Sequence, residues 1–223
     1  MALKLLKRQP AEQLAADALR EAILTGAMKP GERLTEVELS EQFGVSRGTV
    51  RIALHQLSSD GLVVLTPYTG WSVIDFGPHD LWEIYTLRGS LESVAARLAT
   101  ERLDAEGAAK LEKAAEELFT AAGRSTNTAD IKRKDFALHR CIVELSNNGR
   151  LVNHYRMVEQ QVRMFISTTY RPESGRIVIE HHRPIVEAIL RRKPRLAARL
   201  CEHHCTSEGD LVLNRMSAAE PSA

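Results

Sequence analysis

The sequence predicts a mainly α-helical fold, with an N-terminal domain of three helices plus a β-hairpin followed by an all-α helical bundle. Three observations favour this fold. Capped amphipathic segments occupy the start of the chain, two β-rich runs follow around a Pro/Gly turn, and the remainder has helical segments without a convincing strand. A length of 223 residues suits two domains. We place them at 1–75 and 79–216, with a disordered tail at 217–223.

The first predicted helix begins near Pro10, because proline is tolerated in a first helical turn. It ends at Gly26, a residue that commonly stops a helix. Its apolar stripe is formed by Leu14, Ala18, Ile23 and Leu24.

Two short helices joined by a tight turn are predicted next. Thr35 is a suitable N-cap, and Glu38 three residues later completes a capping box. Gly44 supplies the positive φ that ends this helix, and Ser46 caps the following one. The inward face of the second helix carries Val50, Ala53, Leu54 and Leu57. The pattern is typical of a helix-turn-helix.

The β-rich runs at 62–65 and 71–74 flank the turn sequence 67–70, which predicts a hairpin. Three helices and a hairpin in this order form a winged helix-turn-helix. Such a fold presents the N-terminal end of its recognition helix to the major groove, where arginine can bind a guanine edge through two hydrogen bonds. The alternative is a small helical bundle whose surface arginines are only solvated.

Several short motifs point to a particular family: Gly-Glu-Arg-Leu at 31–34, Gly-Val-Ser-Arg-Gly-Thr-Val-Arg at 44–51 and Asp-Gly-Leu-Val at 60–63. They resemble the N-terminal pattern of GntR-type bacterial transcription regulators, in the FadR-like branch. The resemblance implies that DNA is contacted by Ser46, Arg47, Gly48, Thr49 and Arg51 of the recognition helix and by Gly70 at the wing tip.

Three positions depart from the family pattern. Ile52 stands where the family usually has Glu, and Val37 stands where some members have a DNA-contacting Arg. Thr69 replaces the Arg often found just before the wing glycine. We therefore expect a different affinity or operator preference from those of other members.

The formal net charge is +1, so the chain as a whole has no strong attraction for nucleic acid. The positive potential must be local, from Arg47 and Arg51 in the recognition helix and from the N-terminal arm. The basic residues of that arm are Lys4, Lys7 and Arg8. A homodimer would double this patch.

The apolar residues near the N-terminus are interrupted by charge and form too short a run for a signal peptide or a membrane span. Three cysteines, an odd number without framework spacing, fit a reducing compartment. We therefore expect a cytoplasmic protein with no membrane span.

Six helical segments are predicted beyond the hairpin, at roughly 79–101, 104–122, 130–147, 150–169, 175–192 and 195–215. Their breaks coincide with Asn, Gly, Asp and Pro residues. An all-helical domain of this length behind a winged helix is similar to the C-terminal ligand-sensing (FCD) domain of the same branch. The resemblance therefore covers nearly the whole chain.

Four residues of this domain form a candidate metal site. Asp135 and His139 are four residues apart and share one helical face, while His182 and His204 lie on apolar stripes of later helices. One carboxylate and three imidazoles suit a divalent first-row metal, zinc or nickel, with positions left open for a ligand. Their order resembles that of the family's sensor domains, although Leu138 replaces an aromatic residue.

Neighbouring side chains offer alternative ligands. His181 and His203 each adjoin a candidate histidine, but the apolar stripe and the family pattern favour the second residue of each pair. Cys201 and Cys205 could bind one ion on a single helical turn. No second Cys or His pair of suitable spacing exists, so we expect these cysteines, with Cys141, to be packing residues.

Arg88 is the candidate effector-binding residue. The spacing of Tyr85, Arg88 and Glu92 resembles a family pattern, and a guanidinium facing a metal suits a small carboxylate. The alternative is an ordinary surface ion pair between Arg88 and Glu92, which would contribute little.

The sequence therefore predicts a homodimeric transcription regulator, a repressor, that binds an inverted repeat in double-stranded operator DNA and responds to a small organic acid. Two alternatives have other mechanisms. One is a metal-responsive regulator with no organic effector, and the other is a metal-dependent hydrolase that activates water.

Overall fold

The structure is a computed structural model that describes residues 9–124, 127–169 and 174–219, without the side chains of 167–169 and 217–219. It divides into two compact units, 1–76 with 163–168 and 77–162 with 169–223. The basic residues predicted in the N-terminal arm lie outside the described part, as does the end of the predicted tail, 220–223.

The first unit is a winged helix-turn-helix with a small three-stranded sheet. Its elements are α1 (Ala11–Leu24), β1 (Arg33–Leu34), α2 (Glu36–Phe43), α3 (Arg47–Ser59), β2 (Val63–Thr66) and β3 (Gly70–Val73). β3 lies between β1 and β2 and is antiparallel to both, with Trp71 opposite Leu34 on one side and Leu65 on the other. The hairpin is confirmed, whereas β1 was missed because two residues leave no alternation to detect.

Both N-caps of the helix-turn-helix form as the sequence predicts, but the predicted capping box forms only in part, because the Glu38 carboxylate accepts from the Thr35 hydroxyl and not from the Thr35 N–H. Thr35 accepts a hydrogen bond from the Glu38 N–H at 3.2 Å and donates one to the Glu38 carboxylate at 2.7 Å. Gly44 ends α2 at a φ of 64°, and Ser46 Oγ accepts from the Thr49 N–H at 3.1 Å. These local bonds fix where α3 begins and which residues face outward from its first turn.

The apolar stripe predicted for α1 is partly wrong. Leu14 is 53% exposed and Ala18 is also exposed. The buried face consists of Ala15, Ala16, Leu19 and Ile23, so Ile23 of the predicted stripe is confirmed. Alanine is a weak hydrophobic signal, so the sequence pattern favoured the larger Leu14.

The second unit is all α-helical. Its helices are α4 (Pro78–Arg102), α5 (Ala105–Arg124), α6 (Thr128–Leu145), α7 (Gly149–Thr169), α8 (Gly175–Leu190) and α9 (Pro194–Ala219). The predicted segments agree with these helices to within a few residues. Because α9 continues to Ala219, the first three positions of the predicted disordered tail are helical.

Helix α4 packs most extensively along α9, and α5 packs against α6 and α8. The apolar core between them includes Leu111, Leu118, Leu138, Ile142 and Ile189. This packing directs the inner faces of α4, α6, α8 and α9 toward one another. Within the described ranges, no helix combines the length and the apolar character needed to span a membrane.

Candidate functional site

Three imidazoles meet in the interior of the helical unit. His139 on α6, His182 on α8 and His204 on α9 are all buried. The Nε2 of His139 lies 3.1 Å from that of His182 and 3.3 Å from that of His204. Nitrogen ligands at about 2.0–2.1 Å from one metal ion would be roughly 2.8–3.4 Å apart in octahedral or tetrahedral geometry. These two separations fall in that range, and all three donor atoms lie within 4.8 Å of one another, so the cluster could hold a metal ion.

The other ring nitrogens orient these imidazoles. His139 Nδ1 donates to Glu92 Oε2 at 2.5 Å, and His182 Nδ1 donates to the Val178 carbonyl at 2.7 Å. A proton on Nδ1 leaves the lone pair of a neutral imidazole on Nε2, where a metal binds. Two such lone pairs facing each other are repulsive unless a proton or a cation lies between them. The donor set thus fits a metal ion.

Asp135 borders this cluster. Its Oδ1 lies 2.8 Å from His182 Nε2, and its Oδ2 lies 4.0 Å from His139 Nε2. Burial alone would lower the pKa of His182, but the Asp135 carboxylate raises it to about 9. Burial, with His182 and His139 nearby, holds the pKa of His204 well below its usual range. A metal ion would therefore displace the proton that His182 shares with Asp135.

Arg88 is buried on α4, so its interpretation as a surface ion pair is wrong. Its Nε donates to Glu92 at 2.8 Å, and its Nη1 donates to Glu208 at 3.0 Å. The same Glu92 carboxylate accepts from His139 and, at 3.1 Å, from the Tyr155 hydroxyl. One buried carboxylate thus connects the arginine to the histidine cluster.

Two donors beside this network are unsatisfied. Arg88 Nη2 and the Tyr85 hydroxyl are buried and have no hydrogen-bond partner among the described residues. The Arg88 guanidinium lies over the Tyr85 ring, 5.7 Å from its centroid. Unpaired buried donors are uncommon, and a ligand that accepts hydrogen bonds would satisfy them.

Glu208 is a site residue that sequence reasoning missed. Its Oε1 lies 3.5 Å from His204 Nε2, while its Oε2 accepts from Arg88. Its side chain is 27% exposed, more than those of its two partners. The spacing could have indicated it, because Glu208 follows His204 by four residues, which places both on the same helical face.

None of the rival ligands belongs to the histidine cluster, although the His181 ring centroid lies 6.2 Å from that of His204. His181 and His203 are exposed, and neither belongs to the histidine cluster. Cys201 and Cys205 are buried, and burial raises the pKa of both thiols well above the usual range. Their burial agrees with a packing role.

The candidate DNA-contacting residues lie at the start of α3. Ser46, Arg47, Gly48 and Arg51 are exposed, and Thr49 is half-buried. The Ser46 and Thr49 hydroxyls lie 2.9 Å apart. At the wing, Gly70 has a φ of 97°, a left-handed conformation that favours glycine.

A winged helix-turn-helix with exposed arginines on its recognition helix defines a DNA-binding protein, and the buried histidine site in the second unit is typical of a sensor domain. The family comparisons agree with this class. The family described as "Bacterial regulatory proteins, gntR family" matches residues 11–73, and the FCD domain matches residues 83–207. The chain belongs to the gntR family of transcription regulators, in the FadR-like subfamily with a C-terminal FCD domain.

Curated relatives support this membership, and a solved structure has a similar fold. The chain is 31% identical over 202 residues to "Uncharacterized HTH-type transcriptional regulator YdhC" of Bacillus subtilis (strain 168), covering 86% of this chain and 90% of the relative. It is 28% identical over 209 residues to "Probable D-xylose utilization operon transcriptional repressor" of Paenarthrobacter nicotinovorans, covering 90% and 88%. The fold resembles that of E. coli McbR/YncC, with a TM-score of 0.76, 23% identity and coverage of 94% and 100%. The family consists of transcription regulators, so the hydrolase alternative is wrong.

Proposed function

We propose that this protein is a cytoplasmic homodimeric repressor whose binding to an inverted-repeat operator is controlled by a small carboxylate at a metal site in the helical domain. One observation carries the proposal: three buried imidazole nitrogens lie within 4.8 Å of one another, near an arginine with an unsatisfied donor. Metal and arginine together would recognise an anion with oxygen donors.

His139, His182 and His204, with Asp135 beside them, would hold the ion. Nitrogen-rich sites of this kind favour zinc, nickel and related divalent metals. When bound, the ion would supply a Lewis-acidic position for a carboxylate oxygen. The chain's own residues set the orientation, because Glu92 and the Val178 carbonyl fix the imidazole rings through Nδ1.

Arg88 would bind the carboxylate. Its guanidinium already accommodates a carboxylate on Nη1, that of Glu208, which also approaches His204. Glu208 therefore stands in for a ligand carboxylate between the arginine and the histidines. We infer that an effector takes over this position and moves Glu208 toward solvent, where its side chain is already partly exposed.

The homodimer is supported by an apolar stripe on α4. Leu87 and Val94 are 45% and 42% exposed, and half-buried Leu91 lies between them on the same helical face. A second copy of the chain would cover this stripe. A two-fold dimer presents two recognition helices and matches an inverted repeat. The repressor assignment draws on the repressor named among the relatives.

The proposal is tested by a thermal-shift screen of small carboxylic acids on zinc- or nickel-loaded protein. A compound that binds only the native state raises the melting temperature, because it stabilises that state by RT ln(1 + L/Kd), where L is its free concentration. We expect at least one carboxylate to raise the melting temperature of loaded protein and not of chelator-treated protein. If metal alone changes operator affinity and no carboxylate acts, the metal-responsive alternative replaces this one.

Replacing Glu208 by Gln is expected to strengthen binding of the acid found in the screen by roughly tenfold. Like charges a few ångströms apart interact by ~1–4 kcal/mol near a protein surface, and the substitution removes one of them. Isothermal titration calorimetry would measure the change. Glu202→Gln is the matched control, since Glu202 is an exposed residue of the same helix. Weaker binding to the Glu208→Gln protein would show that Glu208 assists the ligand instead of competing with it.

A further inference from the structure

In the recognition helix, Arg51 is held by a carboxylate from the preceding helix. Its Nε donates to Glu36 Oε1 at 2.8 Å, and its Nη2 donates to Glu36 Oε2 at 2.7 Å. The two residues are fifteen positions apart, one at the start of α2 and the other in α3. The Arg51 side chain is 60% exposed and that of Glu36 only 21%, so the guanidinium projects outward from a more sheltered acid.

The side-on pair leaves the end of the guanidinium available. Arginine has five N–H donors in a planar fork, and Glu36 occupies one on Nε and one on Nη2. The Nη1 donors make no hydrogen bond to any residue that the structure describes. Nη1 and the second hydrogen of Nη2 form an end-on pair of parallel donors. Such a pair matches the O6 and N7 acceptors of a guanine edge.

Glu36 is itself fixed. It is the first residue of α2, where the helix dipole stabilises a negative charge. The hydrogen bond from Arg51 lowers the pKa of Glu36, and Trp71 of β3 contributes in the same direction. Arg47, by contrast, is exposed and makes no ion pair within the described part of the chain. Of the two recognition-helix arginines, Arg51 therefore has a side chain fixed by an ion pair, and Arg47 does not.

We propose that Glu36 is a positioning residue that holds Arg51 for end-on recognition of one guanine in the major groove. This inference rests on the proposed function, operator binding by the recognition helix, with Arg51 as one of its DNA contacts. Holding the side chain beforehand reduces the rotamer freedom lost on binding, which favours the matching sequence. The same carboxylate repels phosphates and weakens binding to every sequence. Glu36 thus raises specificity while lowering non-specific affinity.

These opposite effects give a test with two readouts. A duplex is first selected from a random library by the wild-type protein, and a shuffled duplex and single guanine replacements are prepared from it. We expect Glu36→Ala to weaken binding to the selected duplex at least about fivefold, the lower end of one bidentate base contact. Binding to the shuffled duplex should stay the same or tighten. Discrimination at one guanine per half-site should be lost.

Fluorescence anisotropy would measure these affinities for Glu36→Ala, Glu36→Gln, Arg51→Ala and the double variant. In the Arg51→Ala background, removal of Glu36 should no longer weaken binding to the selected duplex. Glu41→Ala is the control, because it removes an equal charge from an exposed position of the same helix. An exposed ion pair contributes little stability, so the melting temperatures of these variants should equal that of the wild type. Glu36→Gln removes the charge and preserves the side-chain volume, and it replaces Glu36→Ala if that variant does not fold.

The outcomes separate the two hypotheses. If Arg51→Ala binds the selected duplex like wild type, the DNA contact itself is wrong. If Arg51→Ala weakens binding but Glu36→Ala tightens both duplexes equally, Glu36 only repels DNA and the positioning role is wrong. The positioning role is supported if Arg51→Ala and Glu36→Ala lose discrimination at the same guanine and Arg47→Ala does not.

Discussion

Protein purified without chelator is expected to carry about one divalent ion per chain, and His182→Ala is expected to lose it. The three donor nitrogens lie within 4.8 Å of one another, so removing any one of them leaves a two-nitrogen site beside Asp135. Elemental analysis by mass spectrometry would measure occupancy. His139→Ala and His204→Ala should behave in the same way, because each contributes one of the three nitrogens.

Metal loss should also lower stability. An ion present at a thousand times its Kd stabilises the native state by about 4 kcal/mol. In a chain of this size 1 kcal/mol changes Tm by roughly 2–4 °C, so the melting temperature should fall by roughly 8–16 °C. The melting temperature of His182→Ala should then be insensitive to chelator, whereas that of the wild type should not be.

The adjacent histidines provide matched controls. His181→Ala and His203→Ala remove the same side chain one residue away, at exposed positions, and should retain both metal and melting temperature. Cys201→Ala should also retain metal, since its buried thiol lies outside the histidine cluster. Equal loss of metal from His203→Ala and His204→Ala, or retention in His182→Ala together with loss in Cys201→Ala, would support a site centred on the cysteines.

Sequence reasoning worked where the determinants are local. The caps at Thr35 and Ser46 depend on residues three positions away, and the predicted bonds form. The two candidate ligands on α8 and α9 could be chosen from their neighbours because one residue of each pair lies on an apolar stripe. His182 and His204 are buried, and the adjacent histidines are exposed. Periodicity carries that information directly.

The partners that the sequence did not reveal come from tertiary packing. Glu92 binds His139 from 47 positions away, and Glu208 binds Arg88 from 120 positions away. A carboxylate has no sequence signal that distinguishes a solvated position from a buried one in contact with an arginine on another helix. Arg88 had a strong local explanation in Glu92, four residues on, which is also one of its actual partners. Only the packing of α4 along α9 shows that the pair is buried.

Because Arg88 is buried, the choice of substitution decides whether its role in effector binding can be tested. Arg88→Ala would leave the Glu92 carboxylate inside the helical unit with one fewer donor, and breaking a buried pair costs about 3–5 kcal/mol. If Arg88→Ala no longer responded to the effector, the cause could be a damaged fold. Arg88→Lys is the sharper substitution, because it keeps the positive charge and removes the planar fork that binds a carboxylate through two hydrogen bonds.

The remaining prediction concerns the coupling between effector and operator. A carboxylate that shifts the melting temperature of metal-loaded protein is expected to bind with a different affinity when the selected operator duplex is present. Coupling of ~1–3 kcal/mol, or about 5- to 150-fold, is ordinary, and linkage requires the operator affinity to change by the same factor. A ligand without differential affinity for the DNA-bound and free states cannot act as a switch. Titrating each ligand in the presence and absence of the other measures both factors.

Arg88→Lys should weaken effector binding at least about tenfold, by loss of a charge-assisted bidentate contact, while operator affinity without effector stays near that of wild type. Arg97→Lys is the control, since Arg97 is a half-exposed arginine of the same helix that pairs with Glu101 at four residues' separation. An unchanged effector affinity in Arg88→Lys would remove Arg88 from the binding site. Identical effector affinities with and without DNA in the wild type would contradict the ligand switch itself, whatever the fate of Arg88, because reciprocity leaves no other route by which the acid could control the operator.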